Sequence, residues 1–147
     1  MLSIVLLSIT AGLAGHQISP RALPPITSPK PAPKAETFVS LDEASRLWHL
    51  GAALFLDGRE PEDYAAGHIR NALNLPAQSF AQHFGDIVPM LTLASPMVLY
   101  CDGSECDLSR LLAEGLRQQG YSNLHILSNG WTAWRQAGLP MTCGSQR

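Results

Sequence analysis

Apolar and polar positions along the chain settle into a regular rhythm at Thr37. Residues 37–39 form a brief extended piece, and Ser40-Leu41-Asp42-Glu43 then carries the capping-box pattern that opens a helix. That helix runs to about Leu50 and Gly51 ends it. Residues 52–56 (AALFL) are a continuous apolar run suited to a buried parallel strand, which delivers Asp57-Gly58-Arg59 to a strand end. Pro61 opens a short helix over Pro61–Ala66 that Gly67 stops. Residues 72–75 predict a strand, 79–87 a helix, and Met97–Tyr100 (MVLY) the most strand-like core run. A polar turn over 101–107 leads into an amphipathic helix with Leu108, Leu111, Leu112 and Leu116 at helical spacing, closed at Gly120. Leu124–Leu127 is the last strand, and 131–137 a final short helix before Gly138 and Pro140. Strands alternating with helices over about a hundred residues predict an α/β fold, a parallel sheet covered on both faces.

Composition divides the chain rather than describing it. The 147 residues are 46% hydrophobic and 15% charged, with net charge −2, which suits one ordinary domain. Residues 1–18 hold no charged side chain, and 20–33 hold six of the eleven prolines. Residues 1–36 carry +2 and Arg147 adds one more, leaving −5 on residues 37–141. An acidic domain repels phosphate backbones, so nucleic acid is excluded as an expected partner. The apolar stretch 1–18 predicts a hydrophobic N-terminal segment that associates with a membrane as a single-pass anchor, and 19–36 a Pro-rich linker. Arg21, Lys30 and Lys34 follow the apolar stretch, so the positive-inside rule places the domain (37–142) in the cytoplasm. Cleavage of 1–18 as a signal, with export, is the alternative. Residues 143–147 are a C-terminal tail.

Parallel sheets put their sites at the carboxyl ends of strands. Two ends stand out, Asp57-Gly58-Arg59 and Cys101. Three cysteines are too few for a disulfide scaffold, and no Cys/His set has zinc spacing, so no metal is expected. His16, His49, His83 and His125 form no ligand spacing either. Cys101 leaves an apolar strand and passes through Asp102-Gly103-Ser104-Glu105-Cys106-Asp107 to a helix start. Amides and the dipole at such a start stabilise a thiolate and an anion beside it. That suits sulfane-sulfur transfer, phosphoryl attack or thiol exchange. The plain alternative is a buried Cys acting as a small apolar side chain.

Three segments carry a resemblance. They are Asp57-Gly58-Arg59-Glu60-Pro61-Glu62-Asp63-Tyr64-Ala65-Ala66-Gly67-His68-Ile69-Arg70-Asn71-Ala72 with Pro76 following, then Val98-Leu99-Tyr100-Cys101, and lastly Gly120-Tyr121-Ser122-Asn123-Leu124 leading to Gly130-Trp131-Thr132-Ala133-Trp134 and Ala137-Gly138-Leu139-Pro140. In these the chain resembles the rhodanese-like sulfurtransferases. The resemblance implies a three-layer α/β/α fold with a five-stranded parallel sheet. It places Cys101 where the family's cysteine carries a persulfide from a small sulfane-sulfur donor or a persulfidated protein to a thiol acceptor. It implies no cofactor.

The turn departs from the family pattern in three ways. Members that use thiosulfate usually carry Arg or Lys in the loop, whereas this turn has Asp102, Glu105 and Asp107 and no base before Arg110. Carboxylates oppose thiolate formation and capture of a dianion, so thiosulfate is expected to be a poor donor. The stretch from Cys101 to Gly120 is about two residues longer than the family's, which favours a larger donor. Cys106 is the third departure, either a resolving thiol for a Cys101 persulfide or a small residue near a helix cap. Asp57, Arg59, His68, Ser109 and Arg110 are expected to support the loop. Asp57 and Arg59 pair with each other or with Glu62 or Asp63, and His68 is structural rather than a general base. Trp131 and Trp134 bury against the sheet, and Cys143 is an exposed tail thiol. The other functions left open are a thiol–disulfide redox protein using Cys101 with Cys106 and a non-catalytic docking module. Phosphatase-type chemistry fits worst, because Leu108 or Ser109 stands where such loops need an Arg.

Overall fold

A computed structural model describes residues 37–103 and 107–145. The expectations for 1–18 and 19–36, and those for Ser104, Glu105 and Cys106, fall outside the described residues. Among the described residues no helix is long and apolar enough to cross a membrane. In chain order the elements are β1 (Thr37–Phe38), α1 (Leu41–His49), β2 (Leu54–Asp57), α2 (Pro61–Ala66), β3 (His68–Ile69), β4 (Leu73–Asn74), α3 (Phe80–Ile87), β5 (Met97–Tyr100), α4 (Asp107–Gln118), β6 (Leu124–Leu127), α5 (Gly130–Gln136) and β7 (Met141–Thr142). Short 3-10 turns flank α3 at Ala77–Ser79 and Val88–Met90.

Five strands form one parallel sheet in the order β1-β6-β5-β2-β4. The apolar run of β5 is buried at all four positions because β5 is the middle strand, flanked by β2 and β6. Its neighbours alternate between faces. Leu99 belongs to the core covered by α4, with Leu56, Leu112 and Leu116, while Val98 and Tyr100 belong to the core beneath α1 and α5, with Phe55, Trp131 and Trp134. In register, Asp57 of β2 lies opposite Tyr100 of β5, so both strands reach the carboxyl end of the sheet together.

Several expectations need correction. The apolar run at 52–56 pairs only from Leu54 and extends one residue further, to Asp57. The strand expected at 72–75 shortens to Leu73–Asn74, and the final helix starts at Gly130. The capping box closes on one side only. Ser40 Oγ accepts from the Glu43 amide at 3.2 Å, but the Glu43 carboxylate takes the Arg46 guanidinium at 2.7 and 2.9 Å. In α4 the buried stripe is Ser109, Leu112, Ala113 and Leu116, and Leu111 is 49% exposed. Leu111 sits about 200° round the helix from Ser109. A small antiparallel pair, β3 with β7, had no sequence signal, since two-residue strands are too short to show a period. It ties the last turn of the chain to α2, helped by Gly144 N–H donating to the Ala65 carbonyl at 2.9 Å.

Candidate active site at the cysteine turn

Cys101 is fully buried at the carboxyl end of the central strand. Its Sγ lies 3.6 Å from Ser109 Oγ, which the buried face of α4 supplies. The main chain around it is held from both neighbouring loops. Gly58 N–H donates to the Tyr100 carbonyl at 2.9 Å, and Trp131 N–H donates to the Cys101 carbonyl at 3.0 Å. Asp102 Oδ1 accepts from its neighbour Gly103 N–H at 2.9 Å and from the hydroxyl of Thr132 on α5. Gly103 has φ +86°, a left-handed conformation that glycine adopts without strain. Cys101 is disulfide-bonded, whereas Cys143 is free and exposed. The expected cradle of amides runs through Ser104, Glu105 and Cys106, outside the described residues.

Beside the cysteine turn lies a buried ion pair. Asp57 and Arg59 bond with each other and not with Glu62 or Asp63: Arg59 Nη2 reaches Asp57 Oδ2 at 2.6 Å and Nε reaches Oδ1 at 3.0 Å. Arg59 also donates to the Gly67 carbonyl at 2.7 Å and lies over the Trp131 ring at 4.8 Å. Burial works against its charge, but the hydrogen bonds and charge of Asp57 outweigh it and leave the guanidinium raised above its usual range. Asn74 completes the enclosure, its amide donating to the carbonyls of Asp57 at 3.2 Å and Arg59 at 2.9 Å. Tyr100 closes the cluster from β5. Its hydroxyl accepts from Ile69 N–H at 3.1 Å, and burial, then the Asp57 charge, holds its proton well above the ordinary tyrosine range.

The other expected residues are arranged differently. His68 is buried, stacked on Tyr64 with ring centroids 3.6 Å apart, and its Nδ1 meets the Tyr64 carbonyl at 2.8 Å. These contacts belong to α2 and β3 and leave that nitrogen engaged within the scaffold. Arg110 lies 3.5 Å from Asp107 and over the Phe38 ring. Trp131 and Trp134 are buried, as expected. A cleft lined by Gly51, Ala52, Leu54, Met90 and Ser95 opens at the amino ends of β2 and β5, the opposite end of the sheet from Cys101. Thr132, Tyr100 and Asn74 are site residues that the residue pattern did not single out. Thr132 and Tyr100 stand in segments that carry the family resemblance, and only the side-chain contacts single them out.

Comparison with known proteins agrees with this architecture. The chain is 31% identical over 110 residues to an HTH-type transcriptional regulator of Mycobacterium tuberculosis, a match that covers 75% of this chain and 46% of that protein. The chain thus spans about half the length of this curated relative. Among solved structures it resembles a thiosulfate sulfurtransferase from Pseudomonas aeruginosa (TM-score 0.60, 26% identity, 74% of this chain and 20% of that one). It also resembles the rhodanese-like domain of an Anabaena protein (TM-score 0.61, 24% identity, 74% and 80% covered), a likeness of fold. Residues 40–137 match the rhodanese-like domain, and the chain belongs to that family.

Proposed function

We propose that the domain is a sulfurtransferase or sulfane-sulfur carrier that works through a persulfide on Cys101. The observation that carries this reading is the position of Cys101, at the carboxyl end of the central parallel strand and at the start of the turn that leads to α4. The likeness to a thiosulfate sulfurtransferase at 26% identity supports it. Two equivalents of a thiol reductant first open the Cys101 disulfide by exchange and leave joined as a disulfide of their own. The thiolate then attacks the outer sulfur of a donor, the donor's S–S bond breaks, and its remaining portion leaves with the electron pair. A thiol acceptor reverses the exchange and takes the sulfur away. Ser109 Oγ, 3.6 Å from Sγ, is a hydroxyl able to donate to a charged sulfur.

A test is to reduce the full chain, add thiosulfate or a polysulfide, and record its intact mass. A gain of one sulfur that disappears in Cys101→Ser and persists in Cys106→Ser supports the reading. No gain with any donor sinks it.

The disulfide at Cys101 favours a second reading, a thiol–disulfide protein that cycles this bond. Its signature is a loss of two hydrogens under mild oxidant that requires both Cys101 and Cys106, without sulfur uptake.

A further inference from the structure

Three consecutive residues at the start of α5 meet three consecutive residues of the strand end and turn that bear Cys101. Gly130 packs on Tyr100, where a Cβ would come within 2.6 Å of the tyrosine Cβ. Trp131 N–H donates to the Cys101 carbonyl at 3.0 Å. The Thr132 hydroxyl donates to Asp102 Oδ1. Arg59 over the Trp131 ring fixes this first turn from beneath, and Arg59 is itself committed to Asp57. Thr132 therefore reaches the cysteine turn from a rigid support, and its branched side chain has few rotamers to choose from.

We infer that Thr132 is a positioning residue for the cysteine turn, and that by holding the Asp102 carboxylate beside Cys101 it selects against dianionic sulfur donors. This rests on the proposed persulfide chemistry at Cys101. The carboxylate accepts from Gly103 N–H and Thr132 together, so it cannot swing away as a donor approaches. Cationic side chains on the surrounding elements include Arg59, which the Asp102 charge also reaches, and Arg110. Arg59 is bonded to Asp57 and to the Gly67 carbonyl, and Arg110 lies against Asp107. A fixed negative charge about 7 Å from an incoming donor slows it about threefold per unit of donor charge at low salt. Thiosulfate and an alkanethiosulfonate offer the same sulfane sulfur with different charge. Attack by the Cys101 thiolate gives the same persulfide from both, with sulfite leaving from the dianion and a sulfinate from the monoanion.

The experiment uses the reduced full chain at low ionic strength and follows single-sulfur mass gain with thiosulfate and with methanethiosulfonate. Asp102→Asn is expected to raise the ratio of the thiosulfate rate to the thiosulfonate rate about threefold. Thr132→Val is expected to raise it in the same direction, and Thr132→Ser to keep the original ratio. An unchanged ratio in Asp102→Asn overturns the charge argument. An unchanged ratio in Thr132→Val, with Asp102→Asn changed, overturns the role of Thr132. If the unaltered protein takes sulfur from neither donor, the persulfide reading is what fails. The ratio of alkylation by iodoacetate to that by iodoacetamide at reduced Cys101 then carries the same test, with the same expected direction in each variant.

Discussion

Gly130 lies so close to Tyr100 that a Cβ on the glycine would sit 2.6 Å from the tyrosine Cβ and 3.1 Å from Leu127 Cγ. The tyrosine Cβ is bonded directly to the backbone, so no rotamer change can move it out of the way. Gly130→Ala is expected to destabilise the domain by about 1–3 kcal/mol through overpacking. Gly85, on the exposed side of α3, has nothing within 4 Å of its imagined Cβ. There the same change is expected to stabilise by about 0.5–1 kcal/mol, because alanine favours a helix interior. Denaturant unfolding of the two variants, compared at equal slope, checks both signs.

The Asp57–Arg59 pair is buried on both sides, so removing one partner strands the other. Arg59→Met is expected to cost about 3–5 kcal/mol, since Asp57 would keep its charge in an apolar setting. Asp57→Asn made together with Arg59→Met is expected to recover part of that loss, because no uncompensated charge then remains. A double-mutant cycle in urea measures the recovery. A double variant no more stable than Arg59→Met alone would show that the guanidinium matters through Gly67 and Trp131 instead.

Tyr100 makes the domain sensitive to alkali. In the unfolded chain its hydroxyl ionises near the ordinary value of about 10, whereas burial holds the proton far above that value in the folded state. Above about pH 10 the folded state therefore binds more protons than the unfolded one, and stability falls as pH rises. Tyr64 is raised for the same reason and adds to the slope. Tyr100→Phe is expected to flatten the fall. At neutral pH it is expected to cost about 1–3 kcal/mol, because the Ile69 N–H loses its acceptor. Melting temperatures from pH 7 to 11, with tyrosinate absorbance in parallel, read both effects.

The half-closed capping box at α1 separates two similar substitutions. Ser40→Ala removes the acceptor for the Glu43 amide and is expected to cost about 1 kcal/mol. Glu43→Gln leaves that bond in place and weakens only a solvent-exposed contact with Arg46, so the melting temperature is expected to stay nearly unchanged. A fall as large as that of Ser40→Ala would mean that the carboxylate also serves the cap in solution.

Residue pattern alone was enough for the alternation of apolar runs with helical periods, for a parallel sheet, and for Cys101 at the carboxyl end of the run Met97–Tyr100, whereas the middle place of that strand came from the sheet order. Pattern suffices for these because a strand buried on both faces leaves a solid apolar run, and because Met97–Tyr100 is such a run. Short elements were not legible. β3 and β7 have two residues each, and what makes them strands is their pairing with each other across more than seventy positions. The rotation of α4 was also decided by packing. Ser109 and Ala113 carry little hydrophobicity, yet they are buried with Leu112 and Leu116 on the face that α4 turns to the sheet, while Leu111 is left outside. At the site, residue types announced a cysteine turn and a candidate Asp57–Arg59 pair. Only the tertiary structure chose between Asp57 and the carboxylates of Glu62 and Asp63, and only it set Gly130, Trp131 and Thr132 against Tyr100, Cys101 and Asp102. Those contacts join segments about thirty residues apart, and a local pattern holds no record of which distant backbone a side chain will meet.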